Sequence, residues 1–130
     1  MYVSIRLGTV AIAVLMLLAL AQAGQATAAD PRRGEEIFRK CVTCHTLEPG
    51  GRNRVGPRLA GLFGRTAGSV SDYRYTDALK QSGIVWNDTT LDAYLKDSEA
   101  FVPGTKMYGG LTIDQDRADL IAFLRRATTR

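Results

Sequence analysis

Cys41-Val42-Thr43-Cys44-His45 puts two thiols three positions apart, with the chain's only histidine directly after the second. This is the spacing of a c-type haem attachment site. The chemistry asks for it, because each thiol can add across one of the porphyrin's two vinyl groups. Two intervening residues let a single turn of chain reach both. The imidazole then lies beneath the iron, where a ring nitrogen can act as proximal ligand. Plainer readings compete. A zinc site needs four ligands, and two cysteines with one histidine fall short of a Cys/His set. A thioredoxin-like dithiol belongs at the start of a helix that follows a strand, and no such pattern surrounds these residues. A simple disulfide loop also stands open, since an exported chain meets an oxidising compartment.

Outward from the motif, the chain upstream reads as a helix. Asp30 is a cap and Pro31 suits the first helical position. Gly34, Ile37, Phe38 and Cys41 recur on one face at helical spacing. Further upstream, Arg6 precedes a nearly unbroken apolar run from Leu7 to Leu20, and the triplets Ala21-Gln22-Ala23 and Ala26-Thr27-Ala28 follow. That is the layout of a secretory signal peptide, expected over residues 1–28. The apolar run is shorter than the roughly 20 residues of a spanning helix, which favours cleavage over retention as a membrane anchor.

Residues 29–130 remain as one small domain. They hold 16 of the 17 basic residues and all 13 acidic ones, a net charge of +3. So slight an excess permits docking on acidic protein surfaces but gives no case for nucleic acid. A domain of this size buries little apolar surface, and a covalently held haem would supply part of its core.

Downstream of the motif, Thr46 to Arg74 has no helical or strand period, and glycine recurs at 50, 51, 56, 61, 64 and 68. Such a run fits a compact domain if it wraps a ligand as an Ω-type loop. Val55, Leu59, Leu62 and Phe63 are expected to face the porphyrin or the loop's own interior. A helical turn follows at Thr76–Gln81, stopped by Gly83, then a clearer helix from Asp88 to about Lys96 with Leu91, Tyr94 and Leu95 on one face. Phe101 to Leu111 reads as a loop. The last helix is expected to open at a capping box formed by Thr112 and Gln115 and to run to about Ala127. Arg117, Leu120, Ile121 and Leu124 line one side, Phe123 is placed against the first helix, and Arg125 and Arg126 suit the negative end of the dipole. No strand is predicted. The fold is all-α.

A haem iron bound by one histidine has a sixth position to fill or leave open. Bis-histidine ligation is impossible with one histidine. Met1 and Met16 fall in the signal segment, so Met107 is the remaining thioether, and it sits in a loop rather than on an apolar helical stripe. An open or lysine-ligated iron is the alternative. Thioether ligation raises the reduction potential and closes the iron to small ligands, which suits outer-sphere electron transfer.

In combination, the motifs resemble a bacterial class I c-type cytochrome, similar to mitochondrial cytochrome c. They are Cys41-Val42-Thr43-Cys44-His45-Thr46, Val55-Gly56-Pro57-Arg58-Leu59, Gly61-Leu62-Phe63-Gly64-Arg65, Tyr75-Thr76, Trp86, Tyr94-Leu95, Pro103-Gly104-Thr105-Lys106-Met107 and Arg117 through Leu124. The resemblance implies a cytochrome c-like domain of helices and Ω loops over residues 29–130. One haem c would be bound through Cys41 and Cys44, with His45 and Met107 as axial ligands. It implies that the Pro57 carbonyl accepts a hydrogen bond from the far nitrogen of His45. Arg65, Tyr75 and Trp86 would offset a buried haem propionate, and Tyr94 and Thr105 would stand beside the methionine. Tyr75, Trp86 and Tyr94 are equally readable as ordinary core aromatics.

The implied role is a soluble, monomeric, non-enzymatic shuttle in the bacterial periplasm. Its donor would be a bc-type complex or dehydrogenase, and its acceptor an oxidase, reductase or photosynthetic reaction centre. It would meet a membrane only if the N-terminal segment is retained. Lys40, Arg54 and Lys106 keep positive charge near the expected haem edge. Glu99 and Asp114 stand where the family often has lysine, Leu79 where it often has a polar residue, and the segment Met107–Leu111 is one residue shorter than the mitochondrial pattern.

Overall fold

Residues 27–129 are described by the computed structural model; the expected signal segment lies outside them except for Thr27 and Ala28. Five helices form among the described residues: α1 (Pro31–Phe38), α2 (Asp77–Gln81), α3 (Asp88–Lys96), α4 (Ser98–Phe101) and α5 (Asp114–Thr128). Thr66 and Val85 make an isolated antiparallel bridge, and no strand is built among the described residues. The all-α expectation holds.

The crossing of α1 on α5 frames the molecule. Asp30 is extended and its carboxylate accepts from the Arg32 amide at 2.9 Å, with Pro31 filling the first helical position. Gly34 lies at the crossing because nothing larger fits: a Cβ there would overlap the Asp119 carbonyl and lie 2.7 Å from the Phe123 Cβ. One turn on, the Phe38 and Phe123 rings meet with centroids 5.5 Å apart, the contact expected for Phe123. Asp119 is buried beneath the same crossing. Its carboxylate accepts from the Asp30 amide and from Gln115 Nε2, each at 2.8 Å, and faces Arg33 Nε at 3.6 Å. A buried carboxylate is tolerable only with such partners.

Helix α3 caps itself reciprocally. The Asn87 side chain accepts from the Thr90 amide and Thr90 Oγ1 accepts from the Asn87 amide, both at 2.9 Å. Its apolar face, Leu91, Tyr94 and Leu95, is buried as expected. That face joins Phe38, Leu62, Trp86, Val102, Leu120, Ile121 and Leu124 in one core. Each such side chain contributes on the order of 1.5–3 kcal/mol relative to exposure. Arg117 is buried with them, and three of its nitrogens reach Asp92 (2.7 Å), the Leu111 carbonyl (2.7 Å) and Asp114 (2.5 Å).

Four expectations are corrected. Helix α1 ends at Phe38, so Cys41 sits in the turns beyond it, its amide bonded to the Phe38 carbonyl at 2.7 Å. Helix α5 has Ile113 at its cap position with no side-chain cap bond, so the Thr112–Gln115 box does not form. The Gln115 carboxamide is committed elsewhere, accepting from Thr27 Oγ1 at 2.6 Å and donating to Asp119. Helix α4 was not anticipated; Asp97 starts it by accepting from the Ala100 amide at 3.0 Å. Val55 is 75% exposed rather than interior. Leu62 is buried, and Leu59 and Phe63 pack against the core.

The long aperiodic segment is held by side chains bonded to backbone. Asn53 accepts from the Arg58 amide at 2.9 Å and donates to the Asp72 carbonyl at 3.0 Å. Tyr73 donates to the Val55 carbonyl at 2.5 Å, and its ring meets Tyr75 edge-on at 4.7 Å. Such bonds carry no sequence period, which is why the segment reads as featureless.

Candidate functional site

Below α1 the chain winds through successive turns. The Cys44 and His45 amides both donate to the Cys41 carbonyl, at 3.0 and 2.9 Å. One turn of backbone therefore presents both thiols and the imidazole. The segment around Gly56 lies back along this turn, with the Gly56 amide on the Cys44 carbonyl and the Leu59 amide on the Thr46 carbonyl, each at 2.8 Å. Gly56 has no alternative at this distance, since a Cβ would run into the His45 ring.

The returning arm of that loop fixes the imidazole. His45 Nδ1 lies 2.7 Å from the Pro57 carbonyl oxygen. A carbonyl only accepts, so Nδ1 carries the proton and Nε2 keeps a bare lone pair. Burial pushes the His45 pKa below its usual value against the opposing pull of the Pro57 bond, and the nearby Arg65 charge adds to the lowering. The ring is a neutral donor at physiological pH.

Cys41 and Cys44 are free and half-buried. Burial, aided by the neighbouring Cys44, pushes the Cys41 thiol up. Redox-active dithiols work the opposite way, with a depressed pKa and an accessible thiolate. The raised Cys41 thiol does not favour the dithiol reading.

Met107 is half-buried against the core. Its amide donates to Thr105 Oγ1 at 3.4 Å, and that oxygen lies 2.6 Å from the Tyr94 hydroxyl. Burial raises the Tyr94 pKa, opposed by the Thr105 bond, so the phenol stays protonated. The Tyr94 ring in turn packs on Trp86 at 5.1 Å. Arg65 joins through the backbone, with the Trp86 amide on its carbonyl at 3.0 Å.

Arg65 and Tyr75 are half-buried, and each feels the other's charge. The guanidinium is held by the Ala60 carbonyl at 2.8 Å and the Arg58 carbonyl at 3.1 Å. Burial lowers its pKa, while burial pushes the Tyr75 phenol up and Arg65 draws it back down. Direct contacts join part of the candidate set: the Trp86 amide bonds the Arg65 carbonyl, and Trp86 leads through Tyr94 and Thr105 to Met107.

These donors fit one covalently held haem. Two unpaired half-buried thiols stand in one turn with a neutral imidazole whose Nε2 is bare, and a thioether lies at a half-buried position. Among the described residues no cluster of three or more His, Cys, Asp or Glu offers a different metal site. Lys40, Arg54 and Lys106 are exposed.

Sequence reasoning missed the residues that hold the Met107 segment. The Arg117 guanidinium grips the Leu111 carbonyl, and the buried Ser98 hydroxyl meets the Gly109 amide at 2.8 Å. A signal for Ser98 existed: it stands four residues after Tyr94, where a serine can bond back to the helix carbonyl.

Comparison with known proteins agrees with the geometry. The cytochrome c family model matches residues 31–128. A cytochrome c of Gibberella zeae is 52% identical over 101 residues, covering 76% of this chain and 95% of that protein. A cytochrome c of Arabidopsis thaliana is 52% identical over 101 residues, covering 76% and 90%. A cytochrome c2 of Blastochloris viridis is 42% identical over 107 residues, covering 82% and 84%.

Proposed function

Since the chain belongs to the cytochrome c family, among the class I c-type cytochromes, we propose that it shuttles single electrons with His45 and Met107 as axial ligands. As a member of that family it is an electron carrier with one haem c, bound covalently through its two cysteines, Cys41 and Cys44. The bound haem supplies a reversible Fe(III)/Fe(II) couple. Everything else is the work of the polypeptide.

His45 offers Nε2 and is held in one tautomer by Pro57. Met107 offers sulfur, a soft neutral donor that favours the ferrous state and raises the potential. Arg65, Tyr75 and Trp86 would meet a haem propionate, where a guanidinium and hydrogen-bond donors would offset the cost of taking a carboxylate out of water. Both ligands are fixed by the surrounding fold, so little rearrangement accompanies a change of oxidation state. With both axial positions filled, no substrate has a place to bind, and the protein is a carrier rather than an enzyme.

The partners are larger redox complexes. A bc-type complex or dehydrogenase is the donor, and an oxidase, reductase or reaction centre the acceptor. The protein works as a monomer in the bacterial periplasm, residues 1–28 acting as the export signal and residues 29–130 as the working domain. The N-terminal sequence pattern supports that location; the family itself extends to the eukaryotic relatives named above.

One observation carries the ligation: the only imidazole is neutral, oriented from behind by Pro57, and sits in the same turn as two free thiols. Carbon monoxide mixed with the ferrous protein tests it. The reading expects no rapid binding, because Met107 fills the sixth position. Rapid binding to the native ferrous form contradicts it.

A further inference from the structure

The segment from Met107 to Leu111 has almost nothing of its own to hold it. Tyr108 is 94% exposed, and Gly109 and Gly110 have no side chains. Its anchorage comes from α3, α4 and, through Arg117 on the Leu111 carbonyl, α5. The Gly110 and Leu111 amides both donate to the Leu95 carbonyl at 3.0 Å. Closer to the sulfur, the Gly109 amide donates to Ser98 Oγ at 2.8 Å.

Ser98 is 1% exposed and sits at the start of α4. Its own proton is used on the Tyr94 carbonyl, 2.8 Å away. The hydroxyl is therefore locked as donor to α3, with a lone pair aimed at Gly109. Gly109 fits this approach closely, since a Cβ would overlap Ser98 Oγ and lie 2.8 Å from the Tyr94 carbonyl oxygen. On the other side of the sulfur, the Met107 amide reaches Thr105 Oγ1 only at 3.4 Å. The bond at Ser98 is the shorter of the two that bracket Met107.

We propose that Ser98 is a positioning residue for Met107: its hydroxyl clasps the Gly109 amide and sets how readily the thioether swings away from the iron. The inference rests on Met107 being the sixth ligand. Swinging the segment out requires breaking the Ser98–Gly109 bond, a part-buried hydrogen bond that favours the closed segment. Removing the hydroxyl removes that barrier in advance.

The test is the rate at which saturating imidazole displaces the thioether in the ferric holoprotein, followed through the near-infrared sulfur-to-iron absorption. At saturation the rate reports opening of the segment. Ser98→Ala is expected to raise it about tenfold, the equivalent of one buried hydrogen bond. Thr128→Ala is the control. Thr128 is equally buried and its hydroxyl bonds the Leu124 carbonyl at 2.8 Å, in α5 rather than at the Met107 segment. That variant should lose stability and leave the rate unchanged. Equal rates in Ser98→Ala and the unmodified protein, or equal acceleration in both variants, overturn the clasp. Should Ser98→Ala fail to fold, amide exchange in the unmodified holoprotein decides. Gly109 exchanging at least tenfold more slowly than the exposed Tyr108 supports the clasp, and exchange at equal rates overturns it. Absence of the sulfur-to-iron absorption from the unmodified protein instead removes Met107 as ligand, a failure distinct from that of Ser98.

Discussion

The His45 side and the Met107 side of the site are built by different means. His45 is fixed within one turn, by backbone bonds to Cys41 and by the Pro57 carbonyl folded back from twelve residues away. Met107 is fixed from outside its own segment, by Thr105 and Tyr94, by Ser98, and by Arg117 reaching the Leu111 carbonyl. The first arrangement is made mainly of backbone bonds around one turn. The second depends on side-chain hydroxyls and a guanidinium delivered by α3, α4 and α5. Opening a turn held by its own backbone bonds means unfolding it, whereas a segment held by a few bonds to other elements can open alone. The methionine side is where this molecule should yield first.

The largest break comes from Met107→Ala. Losing the thioether should lower the reduction potential by on the order of 0.1 V, within the roughly 0.8 V range that axial ligands command. Potentiometry of the variant against the unmodified protein measures it, and an unchanged potential removes Met107 from its role. On the histidine side the corresponding break is steric. Gly56→Ala drives a methyl into the His45 ring, and overpacking of this kind costs about 2–3 kcal/mol. The midpoint of denaturant unfolding should fall accordingly, and a neutral result would mean that the loop gives way easily.

Arg117→Met sharpens the comparison. It leaves the Leu111 carbonyl without its partner and should cost about 2 kcal/mol. Amide exchange should accelerate in residues 108–111 and stay unchanged around Cys41–His45. Acceleration on both sides would erase the distinction between them.

The smallest effect is that of pH. Arg117 hydrogen-bonds the Asp114 carboxyl and holds it below its usual range, and Arg58 does the same for Asp72. A carboxyl with a lowered folded-state pKa contributes fully above its unfolded value of roughly 3.9 and loses that contribution as pH falls through the folded value. The contribution of these two carboxyls should therefore stay level from neutral pH to about pH 5 and decline below about pH 4. Asp114→Asn should flatten part of that decline, as equilibrium unfolding at several pH values would show. Both carboxyls are exposed, so the effect is small.

The same division explains what could be read from sequence. Cys41-Val42-Thr43-Cys44-His45 is a local pattern, and so are the Asp30–Pro31 start, the helical turn ending at Gln81 and the Leu91, Tyr94, Leu95 face; the helical features are where the spacing put them. The misses are long-range or side-chain decisions. Thr112 looked like a cap because Gln115 followed it, but Gln115 bonds Thr27 and Asp119 instead. Val55 looked apolar enough for the interior, yet Tyr73 uses its carbonyl and leaves its side chain in solvent. Four residues, Ser98–Phe101, are too few to show a helical period. The burial of Asp119 becomes visible only once α1 lies across α5.

The most direct measurement of the central claim is a proton spectrum of the ferrous protein. A methyl group bound through sulfur above the porphyrin lies in the ring's shielding cone. A single three-proton resonance far upfield of all others should appear, and Met107→Ala should abolish it. A ferrous spectrum without that resonance, or one that keeps it in the variant, contradicts an iron held between His45 and Met107.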